Sequence, residues 1–70
     1  MKYSIVIEPS ATGYSAYAPD LPGCAATGPT LEAVQRNMRE AVAFHIEGLR
    51  EEGAEIPSPS SLVAYVEVAV

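Results

Sequence analysis

The run Pro19-Asp20-Leu21-Pro22-Gly23-Cys24 constrains this chain more than any other segment. Each proline removes a backbone donor and fixes its own φ, and the glycine admits a positive φ, so neither a strand nor a helix can pass through. The chain must turn here, with Pro22-Gly23 suiting the two central positions of a type II turn. On the upstream side, Gly13-Tyr14-Ser15-Ala16-Tyr17-Ala18 reads as an extended segment. Cys24-Ala25-Ala26-Thr27 on the downstream side reads as a second, short and small in its side chains.

The remaining elements follow from periodicity. Residues 2–8 are rich in β-branched and aromatic side chains and predict strand one. Tyr3, Ile5 and Ile7 share one face of it, and Ser4, Val6 and Glu8 the other. The turn Pro9–Gly13 leads to strand two at 13–18, and strand three occupies 24–27. A single helix is expected over 30–52, with Thr30 as N-cap, Glu32 in the first turn and Gly53 as the C-terminal glycine. At helical spacing Leu31, Val34, Met38, Ala41, Val42, His45 and Leu49 form one apolar stripe. Ile56-Pro57-Ser58-Pro59-Ser60 is a stiff link, and the valine-rich segment 62–69 predicts a fourth strand.

The expected fold is therefore α+β in the order β-β-β-α-β: a four-stranded mixed sheet, order 3-2-1-4, with one helix packed on one face. A helical crossover of this length is the usual route to a parallel pair, which places strand four beside strand one. One helix covers one sheet face. The other face would display Val6, Tyr17, Val63 and Tyr65, an apolar set of the kind that marks association sites. Phe44 projects about 120° from the stripe centre and is expected either at the helix edge or against a neighbouring subunit. Val6, Phe44, Val63 and Tyr65 are thus candidate oligomer contacts.

Size argues in the same direction. A chain of 70 residues is one domain, residues 1–70, and domains this small bury only about 60% of their unfolded surface. With one cysteine and one histidine, neither an internal disulfide nor a zinc site can supplement the core, which leaves self-association as a homodimer or tetramer. No cofactor or metal is expected. Met1-Lys2 runs into five apolar or hydroxyl residues and then Glu8-Pro9, too short for the apolar region of a secretory signal, and no stretch approaches membrane-spanning length. A cytoplasmic setting is the expectation.

Catalysis finds little support. His45 sits on the apolar stripe and reads as a packing residue, since no partner for acid–base work is placed beside it. Cys24 has no Lys or Arg within ten residues to lower its pKa, and reads as a small core residue. Asp20 is the only aspartate, and the glutamates are scattered or lie on the helix's polar side, unlike the convergent carboxylates of a two-metal nuclease. No catalytic residue is assigned. The formal charge of −5 opposes direct nucleic-acid binding and suits a basic protein partner.

The ordered set Gly-Tyr-x-Ala-Tyr-x-Pro-Asp-Leu-Pro-Gly-Cys, then a short strand, then Gly-x-Thr-Leu-Glu-Ala, resembles the HicB-type antitoxins and their short stand-alone relatives. The resemblance covers residues 3–57. It implies a truncated ribonuclease H-like fold and an inhibitor that binds a small basic HicA messenger-RNA nuclease and masks its active site. Carried onto this sequence, the contact falls at Tyr17, Asp20, Leu21, Pro22 and Gly23. Full-length members usually add a C-terminal DNA-binding segment, which is expected to be absent here. The other reading is an orphan homo-oligomeric module that binds a protein or small ligand without a toxin.

Overall fold

The computed structural model describes all 70 residues. Three strands, β1 (Val6–Ser10), β2 (Gly13–Tyr17) and β3 (Ala25–Gly28), form an antiparallel sheet in the order β1-β2-β3. The helix α1 (Leu31–Glu51) follows.

Strand β1 begins later than its composition predicts. The ladder opens at the pair Val6–Tyr17, because β2 ends as the chain approaches Pro19, which has no donor to offer. Residues 1–5 continue past the sheet without a neighbour strand. At the other end β1 runs through Pro9, paired with Tyr14, to a two-residue turn at Ala11-Thr12. Pro9 is tolerated there because β1 is an edge strand, where a missing N–H breaks no ladder on its open side.

The register puts Val6 and Tyr17 together on one sheet face, and Ile7, Ala16 and Ala26 on the other. That second face meets α1. Val34 and Met38 of the helix are fully enclosed against Ala16, Ala18, Leu21 and Cys24, with Ile5, Ile7, Ala41, Val42 and Ile46 packed around them. Leu31, expected in the stripe, is exposed, and Ala33 takes the inward position at the first turn. His45 is half-buried, whereas Phe44 is 82% exposed.

The helix ends are specified locally. Thr30 Oγ1 accepts the Ala33 N–H at 3.0 Å, satisfying one of the orphan donors of the first turn. At the other end the Gly53 N–H donates to the Arg50 carbonyl and the Ala54 N–H to the Leu49 carbonyl. That is the paired bonding of a Schellman motif. The helix starts so close to β3 that a Cβ on Gly28 would lie 2.6 Å from the Val34 nitrogen. No other residue fits at this position without moving the helix off the strand.

The expected fourth strand does not form. Residues 62–70 have no sheet partner and all are exposed, so the four-stranded sheet of order 3-2-1-4 is replaced by three strands. The physical reason lies in the link. Tyr3 donates its hydroxyl to the Pro57 carbonyl, and Asp20 captures Ser60 and Ser61. Beyond that anchorage residues 62–70 stay exposed, and the whole molecule measures 48 × 26 × 17 Å.

Candidate protein-binding surface

The loop between β2 and β3 is a double turn. The Leu21 N–H donates to the Ala18 carbonyl at 3.1 Å and the Cys24 N–H to the Leu21 carbonyl at 3.0 Å. A third bond, from the Ala18 N–H to the Cys24 carbonyl at 3.1 Å, closes the base. Pro19 and Pro22 each occupy the second position of a turn, where their fixed φ is already correct. Gly23 has φ +84°, the left-handed value that the third position of a type II turn demands.

Every third residue points inward. Ala18, Leu21 and Cys24 are buried, whereas Pro19, Pro22 and Gly23 are exposed. Leu21, which the resemblance places among the contact residues, has no exposed surface here and fastens the loop to the core instead. Tyr17 is 45% exposed beside the loop, on the sheet face that the helix does not cover.

Asp20 is the most perturbed group in the chain. Its Oδ2 accepts the N–H groups of Ser60 and Ser61 at 2.9 and 3.0 Å. Its Oδ1 accepts the Ser61 and Ser60 hydroxyls at 2.7 and 3.2 Å. The Ser61 hydroxyl and N–H, with help from Ser60, favour the carboxylate and lower its pKa from 3.8 to about 2. Sequence reasoning assigned this charge to an intermolecular contact and missed its intramolecular partners. The only signal available was a Ser-Ser pair following a Pro-Ser-Pro link.

The candidate oligomer contacts are dispersed. Val6 lies next to Tyr17 on the uncovered face. Val63 and Tyr65 are not on that face but on the free tail, 65% and 95% exposed. Phe44 stands on the outer side of α1, at the rim of a shallow depression with His45 and Leu49.

Reactive side chains do not converge. Cys24 is enclosed in the loop, where burial pushes its thiol pKa up and keeps it protonated. His45 lies in the second half of α1. No three of the His, Cys, Asp and Glu side chains come together as a metal cluster. No helix is long and apolar enough to cross a membrane. The arrangement offers a stiff loop beside a mixed sheet face, on which Val6, Tyr17 and Ala25 alternate with Glu8, Ser15 and Thr27.

Comparison with known proteins places this geometry. Residues 3–69 match the family described as HicB-like antitoxin of bacterial toxin-antitoxin system. A chain in a solved HicA3 and HicB3 toxin-antitoxin complex is 41% identical and superposes with a TM-score of 0.75, covering 84% of this chain and 69% of its own. An uncharacterized 14.9 kDa protein from the rep-hol intergenic region of Haemophilus phage HP1 is 41% identical over 66 residues. That match takes in 94% of this chain but only 50% of the phage protein, so the chain spans about half the length of this relative. A UPF0150 protein of Helicobacter pylori is 34% identical over 70 residues, 99% of this chain and 97% of its own.

Proposed function

The chain belongs to the HicB-like antitoxin family, and from that premise we propose that it is the inhibitory partner of a HicA-type toxin. The observation that carries the reading is the likeness, at 41% identity over 84% of this chain, to a chain of a HicA3 and HicB3 complex. The mechanism is occlusion: the chain docks on a basic nuclease in the cytoplasm and covers its active site, with no chemistry of its own.

The contact is assigned to the double-turn loop and the sheet face beside it. Tyr17, Pro22 and Gly23 form its accessible surface, Asp20 lies at its rim, and Leu21 holds the loop from beneath. A loop fixed by two prolines and three internal hydrogen bonds loses little conformational entropy on docking. The charge of −5 speeds encounter with a basic toxin, an advantage that falls as salt is added.

Tagged protein drawn from its native host should carry a small basic partner of HicA type, and co-expression with that partner should restore growth. Tyr17→Lys should speed dissociation of the complex without unfolding the subunit. Recovery of the protein with no such partner, or failure to neutralise it, overturns the reading in favour of an orphan binding module.

A further inference from the structure

We propose that residues 62–70 are a β-strand donated to a second copy of this chain, pairing along the free edge of β1 and filling the groove between the N-terminal segment and α1. Donor and acceptor are both unsatisfied in a single chain.

The donor is the tail Leu62-Val63-Ala64-Tyr65-Val66-Glu67-Val68-Ala69-Val70. Its β-branched content is that of a strand, and its even-numbered positions form an entirely apolar face. The odd-numbered positions carry Tyr65 and Glu67, suited to the outer face of a sheet. Yet Leu62, Val66 and Val68 are 95%, 87% and 69% exposed. Contiguous apolar exposure of this extent marks an interaction site.

The acceptor is the other side of the same imbalance. The sheet has two edges, β1 and β3. Edge β3 is guarded: α1 packs against it, and Asn37 Nδ2 donates to the Thr27 carbonyl at 2.8 Å. Edge β1 has no such cover: the backbone of α1 lies over β2 and β3, β1 sends only the Ile7 side chain toward the core, and Pro9 withholds a donor only near the turn. Between the helix and the segment preceding β1 lies an open groove of about 460 Å³, lined by Tyr3, Ile5, Gln35, Met38, Arg39 and Val42. Its apolar floor matches the even-numbered face of the tail, and its position matches a strand laid beside β1.

A second copy is the occupant because of how the tail is held. The Asp20 clamp on Ser60 and Ser61 fixes where the tail begins, and every residue from there to Val70 is exposed instead of packed on its own body. Each chain thus offers one strand and one edge. Reciprocal exchange between two copies satisfies both and closes with two-fold symmetry, removing the open edge.

The test uses the full chain. Sedimentation should show a dimer at micromolar concentration. Its dissociation constant should fall with added salt, because two subunits of charge −5 repel one another. Toxin binding has the opposite salt dependence, so failure of either idea is distinguishable from failure of the other. In a mixture of isotope-labelled and unlabelled chains, filtered NOEs should connect Val66 and Val68 methyls of one copy to Ile5 and Val42 of the other. The double variant Val66→Lys, Val68→Lys should weaken the dimer by more than about a hundredfold, since it places charges in an apolar groove. Its helical circular dichroism should not change, because both positions are exposed in the single chain. A monomer at all concentrations, NOEs confined to one copy, or a double variant that still dimerises would overturn the proposal.

Discussion

A side chain's function here is set by which way the loop turns it. Leu21 and Pro22 are neighbours in the loop between β2 and β3, yet one is wholly enclosed and the other exposed. Asp20, just before them, is committed to the chain's own tail. Its folded pKa of about 2 lies below the ordinary 3.8. The clamp is therefore at full strength above about pH 4 and is lost as pH falls through the folded value, a carboxylate's usual direction. Carbon-detected NMR should give an Asp20 titration midpoint near 2, and the Ser60 and Ser61 amides should lose exchange protection in the same range. A midpoint at the ordinary value would show that the clamp does not form in solution. The type II turn was legible in the sequence because Pro-Gly has few alternatives. The clamp was not, since a hydrogen bond between positions 20 and 61 leaves no local trace.

Among the elements, the helix was the most legible, because its stop and start signals are short-range and agree with its periodicity. The Thr30 cap, the bonds at Gly53 and the Val34–Met38 stripe all formed as read. Thr30→Ala should cost about 1 kcal/mol. Urea unfolding would register this as a lower midpoint at unchanged slope, and an unshifted midpoint would mean that the cap contributes nothing. The strands were harder. Alternation sorted Ile5, Ile7 and Ala16 from Val6 and Tyr17 correctly, since that depends only on parity. It misplaced the limits of β1, because where pairing starts depends on where the partner strand stops. Segment 62–69 satisfied every local criterion for a strand and still formed none: a strand needs a neighbour, and propensity cannot supply one.

For the whole molecule, the sequence conveyed the layer arrangement and the sign of the charge better than it conveyed the surfaces. Four apolar residues expected on one sheet face separated into a pair on the sheet and a pair on the tail. The separation follows from the long-range anchorage at Pro57 and Ser60–Ser61. One consequence of that free tail concerns solubility. Strand and edge can join in a closed pair, but the same two surfaces can also join head to tail without end. At neutral pH the accumulated charge opposes such growth. Near the isoelectric point of about 4.5 the repulsion disappears, while Asp20 remains ionised and continues to present the tail. Turbidity and thioflavin fluorescence should accordingly rise as the protein is brought through that pH. The Val66→Lys, Val68→Lys variant should stay clear at its own isoelectric point, because without the strand there is no way to polymerise.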